Sequence, residues 1–208
     1  MTTKHVFVES NWVFDLCAPA HRATPEARGL ARRAADRELV VHIPSAALRE
    51  GGNAIRQKCQ PTASKELREF RRWAVTEGKV NTTTAAEADV FLDAYIASVK
   101  TDMLALDARI DAIRTQTGID AFALDDRMLD RALRLRTEVA TLKPFDEAIL
   151  AAVLVKAGDL KATGSTDLWF CDLDGDLVPV DRKGNPRKEL VALYAAAGLT
   201  VRQDFRVP

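Results

Sequence analysis

His5-Val-Phe-Val-Glu-Ser-Asn11 is the stretch from which the rest of the chain can be read. Its first four residues are short, β-branched or aromatic, and they break into the polar cluster Glu9, Ser10 and Asn11. That pattern predicts a buried first strand that delivers polar groups at its carboxyl end, with a helix to follow. Outward from it, Pro25 to Arg37 is rich in Ala and Arg with Leu30 and Ala34 on one face, and Leu39-Val-Val-His-Ile43 follows. A helix and a second strand are expected there, which makes one β-α-β unit.

Pro44-Ser45 supplies a helix start, and Ala46, Ala47, Leu48 and Ile55 continue a helix that carries Glu50, weakened locally by Gly51 and Gly52. From Ala63 to Gly78 and from Ala85 to about Thr115, apolar residues recur at three and four, with Phe91, Tyr95, Val99, Leu104, Leu106 and Ile110 along one element. Another helix is expected from Asp125 or Asp126. Lys143-Pro-Phe-Asp146 then opens a strongly apolar helix through Ile149, Leu150, Val153 and Leu154. After a polar loop at Thr163 to Thr166, Leu168-Trp-Phe-Cys171 reads as a buried strand running into Asp172-Leu-Asp-Gly-Asp176. A helix from about Arg187 to Ala197 and a strand at Leu199 to Arg202 complete the alternation. The expectation is a three-layer α/β/α fold with a mostly parallel sheet, one domain over residues 1–208 with a helical insertion at about 63–118.

Composition narrows the function classes less than the fold. The 208 residues carry 30 basic and 30 acidic side chains, so nucleic-acid binding would have to rest on local patches and not on a global field. Cys17, Cys59 and Cys171 are odd in number, widely spaced and without a C-x-x-C pair, which suggests neither a disulfide framework nor a zinc cluster. The apolar run around Val6 to Val8 is too short for a signal core or a membrane span. A reducing, cytoplasmic setting without a membrane partner is therefore expected.

Both strand ends that the pattern identifies carry acid: Glu9 after the first, and Asp172, Asp174 and Asp176 after a late one. In an open parallel sheet ligands bind beyond the carboxyl ends of the strands. Carboxylates gathered there repel one another unless a cation lies among them. Oxygen ligands alone favour Mg²⁺ or Mn²⁺ over zinc. Such an ion lowers the pKa of bound water and neutralises charge on a displaced phosphate oxygen. No Gly-x-Ser-x-Gly elbow or Cys/His pairing suggests a nucleophilic side chain instead.

These residues resemble the PIN domain nucleases. Val6-Phe-Val-Glu-Ser-Asn11 is similar to the family's opening strand, and Pro44-Ser-Ala-Ala-Leu-Arg-Glu50 to the helix that carries its second acid. Phe145-Asp-Glu-Ala-Ile-Leu-Ala151 is similar to the helix opened by the third acid, and Phe170-Cys-Asp-Leu-Asp-Gly-Asp-Leu177 to the strand ending in the fourth. The resemblance implies metal-binding, catalytic roles for Glu9, Glu50, Asp146 and Asp174, with Asp172 and Asp176 as further metal contacts, and supporting roles for Ser10 and Asn11, the latter orienting Glu9 or a water. Two residues depart from the pattern: Glu9 stands where the family usually has Asp, and Asp172 where Ser or Thr is common. What the resemblance implies is a Mg²⁺- or Mn²⁺-dependent endoribonuclease acting on single-stranded or structured RNA. It also implies a toxin setting with an antitoxin partner, and a homodimer. The alternative it leaves is an inactive PIN-like interaction module acting through the helix around Phe91 to Ile110.

Each acid also has a plainer reading. Glu9 can be a strand-end acid bonded to nearby backbone, Glu50 a solvated helix residue, and Asp146 a first-turn acid favoured by its helix dipole. Asp172 to Asp176 can be a simple turn. An EF-hand loop fails there, because its sixth position would be Leu177 and its twelfth Lys183. Asp172-Leu-Asp-Gly175 also copies the opening motif of haloacid-dehalogenase-type phosphotransferases, but too little chain follows it. His5 and His42 are expected to be packed, hydrogen-bonded histidines, and the clusters Arg28, Arg32, Arg33, Arg37 and Arg68, Arg71, Arg72 solvated helix faces.

Overall fold

A computed structural model of the chain describes residues 3–19, 24–59, 63–173, 175–181 and 183–208. Strands β1 (Lys4–Val8), β2 (Leu39–Pro44), β3 (Ile119–Phe122), β4 (Leu168–Cys171) and β5 (Leu199–Arg202) form one sheet in the order β3-β2-β1-β4-β5. Every pairing is parallel, so the sheet is wholly parallel where the sequence led us to expect a mostly parallel one. Val6, Phe7, Val8, Val41, Ile43 and Phe170 are completely buried, as strands covered on both faces require. Four strands lie where the apolar runs put them.

The fifth, β3, has no such signal. Its four residues Ile-Asp-Ala-Phe form a half-buried edge strand whose pattern is too short and polar to read. Gly118 lets the chain enter it: φ is +79°, and a Cβ there would lie 2.0 Å from the carbonyl oxygen of Ala34.

Helices α1 (Ser10–Cys17) and α2 (Pro25–Ala35) connect β1 to β2, and α3 (Ser45–Lys58) leaves β2. The inserted helices α4 (Ala63–Thr76), α5 (Thr82–Leu104) and α6 (Leu106–Thr115) follow, then α7 (Asp126–Glu138) and α8 (Pro144–Ala162) before β4, and α9 (Lys188–Ala197) before β5. Right-handed crossovers from β1 to β2 and from β3 back to β4 run in opposite directions across the sheet, which sends α2 to one face and α7, α8 and α9 to the other. Three layers result. Among the described residues, no helix is long and apolar enough to cross a membrane.

The element expected from Ala85 to about Thr115 is two helices, parted at Ala105. Of its apolar line, Val99 and Leu106 are buried, whereas Phe91 (70% exposed) and Leu104 (87%) point away from the core. Helices α4 and α5 are held to each other by ion pairs of Arg68 with Asp93 and of Arg71 with Asp89. Gly51 and Gly52, read as weak points of a helix, are close-approach points. A Cβ on Gly51 would lie 2.6 Å from Val13 Cβ and 2.9 Å from the Ser10 carbonyl oxygen, and one on Gly52 would lie 2.8 Å from Ile110 Cδ1. The two glycines let α3 pack tightly against α1 on one side and α6 on the other.

Candidate functional site

β1 is followed by β2 on one side and paired with β4 on the other, so the chain reverses its direction of travel across the sheet between β1 and β4. Crevices form beyond the carboxyl ends of strands at such a reversal. The register pairs Val8 with Cys171, which makes Glu9 and Asp172 the next residue on each of two adjacent strands. Glu9 is 2% exposed and Asp172 is completely buried.

Glu9 also starts α1. Its Oε2 accepts the backbone N–H of Asn11 at 2.8 Å and the hydroxyl of Ser10 at 2.9 Å, so the strand-end acid bonded to backbone and the candidate site acid are the same residue. The Ser10 hydroxyl and the Asn11 backbone N–H thus orient the carboxylate, which itself caps α1. Among the described atoms Oε1 has no hydrogen-bond partner although it is buried. Burial outweighs the bonds from Asn11 and Ser10 and a weaker one from the Leu173 backbone, and pushes the Glu9 carboxyl up to about 7. Burial, then the negative charge of Asp172, likewise raises the phenol of Tyr194 above its ordinary range.

Parallel topology brings two further acids to the same edge. α8 must run from the carboxyl edge back to the start of β4, so its first turn, with Asp146 buried in it, begins at that edge. α3 starts directly after β2, and Glu50 in its second turn is half-buried beside Gly51, where a Cβ would strike the Ser10 carbonyl. Glu147, next to Asp146, is buried too, but Arg136 of α7 holds it at 3.1 Å. Asp176 is half-buried and ion-paired with Lys143 at 2.6 Å. Asp174 lies outside the described residues.

Carboxylate oxygens suit a hard divalent ion, and the buried, unsatisfied Oε1 of Glu9 is an atom such an ion would satisfy. Among the described residues, however, no three Asp, Glu, His or Cys side chains stand close enough together to hold one. The donor chemistry fits Mg²⁺ or Mn²⁺, with Glu9 and Asp172 as the pair best placed to contribute.

His5 and His42 are the packed, hydrogen-bonded histidines expected, but their partner Asp120 has no sequence signal because β3 has none. His42 Nδ1 lies 2.8 Å from Asp120 Oδ2, His42 Nε2 lies 2.9 Å from His5 Nδ1, and His5 Nε2 lies 3.4 Å from Ser165 Oγ. Lys156 of α8 reaches the same Asp120 oxygen at 3.0 Å. With both imidazoles neutral, the assignment that satisfies every atom has Ser165 donating to His5, His5 to His42, and His42 to Asp120. The hydrogen bond from His42 and the charge of Lys156 hold the Asp120 carboxyl down at about 2.

Compared with known proteins, the chain matches no family model and no curated sequence. The functional reading therefore stands on its own residues.

Proposed function

We propose that this chain is a Mg²⁺- or Mn²⁺-dependent phosphodiesterase that cleaves RNA, built on a PIN-like arrangement of acids. The observation that carries the reading is the pair Glu9 and Asp172, buried on adjacent strand ends at the point where the sheet reverses, with Glu9 Oε1 unsatisfied. A buried carboxylate without full hydrogen bonding costs several kcal/mol and is retained where it does chemistry. Glu9 and Asp172 would supply oxygens to the ion, with Asp146 and Glu50 on the same edge of the sheet and Asp174 as the fourth acid of the motif. Ser10 and Asn11 keep Glu9 in place. When bound, the ion activates a water molecule and neutralises charge on the phosphate.

A catalytically silent reading is favoured by a different observation, the apolar surface of the α4–α5 hairpin, where Phe70, Trp73 and Phe91 are 63%, 52% and 70% exposed. On that reading the chain is an interaction module and the hairpin its contact surface. Addition of Mn²⁺ to the chelated protein separates the two. The nuclease reading predicts a raised melting temperature and cleavage of unstructured RNA that EDTA abolishes. Neither effect at millimolar Mn²⁺ leaves the interaction module.

A further inference from the structure

The acids are not the only feature of the carboxyl edge. Beside them a groove of about 590 Å³ runs between α3 and the inserted helix α6, and none of the acids proposed to hold the ion lines it. One wall is the face of α3 that presents Ser45, Arg49, Asn53 and Arg56, spaced at helical intervals of three and four. The other is the face of α6 that presents Asp107, Asp111 and Arg114. Gly52 permits the close approach of these helices, because a Cβ there would strike Ile110.

Position ties the groove to the acids. Ser45 is the first residue after β2 and Leu124, also in the lining, lies just past β3, so the groove stands over the carboxyl ends of those two strands. Glu9 and Asp172 stand over the ends of β1 and β4, the next two strands along the sheet. Arg49 directly precedes Glu50. Phe145, which lines the groove and is 46% exposed, directly precedes Asp146. Phe145 therefore joins the groove lining to the first turn of α8, which carries Asp146.

The charges of the groove are only partly cancelled. Arg56 is ion-paired with Asp107. Arg49 and Arg114 are exposed, and among the described residues no carboxylate stands within ion-pair distance of either. Arg49, Arg56 and Arg114 outnumber the carboxylates Asp107 and Asp111 in the lining, and planar guanidinium groups on both walls, with a hydroxyl and an amide beside them on α3, suit phosphate oxygens. An exposed aromatic ring at the exit offers a stacking surface to any unpaired base, whereas a duplex keeps its bases stacked on each other.

We propose that this groove binds the sugar-phosphate backbone of single-stranded nucleic acid, with Arg49 and Arg114 on phosphates and Phe145 under the base that enters the acidic site. The inserted helix α6 thereby becomes part of the substrate-binding surface. This inference rests on the nuclease reading for its biological sense but is tested without it.

The experiment is binding of labelled, unstructured RNA and DNA strands of roughly a dozen nucleotides, and of a matching duplex, in EDTA across a range of salt. Arg49→Glu with Arg114→Glu is expected to weaken single-strand binding more than about tenfold and to lower the salt slope by about one per arginine removed, with the melting temperature unchanged. Phe145→Ala is expected to weaken binding about tenfold and leave the salt slope alone. Arg32→Glu on α2 serves as the control and should change little. Loss with both RNA and DNA assigns recognition to the shared backbone, and loss with RNA alone assigns it to a ribose-specific groove. The proposal is overturned if the double variant binds as the wild type does, if Arg32→Glu loses as much, if the duplex binds equally well, or if the wild type binds no strand. Should the wild type cleave RNA while the double variant binds normally, the groove is wrong and the nuclease reading stands. Should Mn²⁺ support no cleavage while the double variant loses strand binding, the groove stands and the nuclease reading fails.

Discussion

The sheet carries two polar clusters built from similar residue types and left in opposite states. In the row Ser165, His5, His42, Asp120 and Lys156, every ring nitrogen has a partner between 2.8 and 3.4 Å. At the carboxyl edge Glu9 accepts two bonds on one oxygen and, among the described atoms, none on the other, and burial drives its carboxyl up to about 7. A satisfied buried network rigidifies a fold, whereas an unsatisfied one destabilises it and persists where something else requires it. The contrast teaches that burial and charge alone do not single out a candidate site, and that the carboxyl edge differs from the histidine row in holding a buried acid oxygen, Oε1 of Glu9, without a hydrogen-bond partner among the described atoms.

The sharpest way to break this comparison is to remove one acid from the edge. Asp146→Asn is expected to lower Mn²⁺-dependent RNA cleavage by a factor of at least about a hundred while the melting temperature stays the same or rises, since a buried charge is withdrawn. Single-turnover cleavage with a thermal melt on the same preparation checks it. Full activity would remove Asp146 from the site.

The histidine row should behave in the reverse sense. His42→Ala leaves His5 and Asp120 short of a partner and opens space beneath Phe7, whose ring stacks on His42 at 4.9 Å. A loss of about 2–4 kcal/mol in unfolding free energy is expected, with the metal response of the folded protein intact. Denaturant unfolding measures the first and Mn²⁺-dependent cleavage the second; a large change in cleavage per folded molecule would erase the distinction between the clusters.

The smallest effect belongs to the ion pair at the rim. Lys143 is 71% exposed and its partner Asp176 is 39% exposed, so Lys143→Ala should change stability by less than about 0.5 kcal/mol. A clear drop in cleavage on that substitution would bring Asp176 into the site, where the motif resemblance first put it.

Much of this was legible in the chain. Hydrophobic runs marked β1, β2, β4 and β5 because buried parallel strands are nearly continuous in apolar residues. The acids at the ends of β1 and β4 followed from where those runs stop. β3 was not legible, because an edge strand of four residues that includes Asp120 carries no pattern, and with it went the partner of His42. Nor could spacing reveal that Gly51 and Gly52 are contact points, since that depends on how α1 and α6 approach α3. The groove containing Arg49 and Arg114 was hidden for the same reason, its two walls lying far apart in sequence.

Glu9 offers the most direct test. Its carboxyl titrates near 4.5 in the unfolded chain and at about 7 when folded, so the folded state binds the extra proton between those values. Stability of the metal-free protein from this group is therefore fully present below pH 4.5, falls as pH rises, and is lost above about 7, a difference on the order of 3 kcal/mol. On the proposed reading a cation would take the place of that proton. The measurement is the shift in melting temperature caused by Mn²⁺, relative to EDTA, at acidic and at alkaline pH for the wild type and Glu9→Gln. The prediction is a stabilisation that grows toward alkaline pH in the wild type and disappears in Glu9→Gln, whose metal-free form is the more stable of the two above pH 7. A wild type indifferent to Mn²⁺ at every pH, or a variant that responds equally, would contradict the claim that Glu9 is buried to hold a cation.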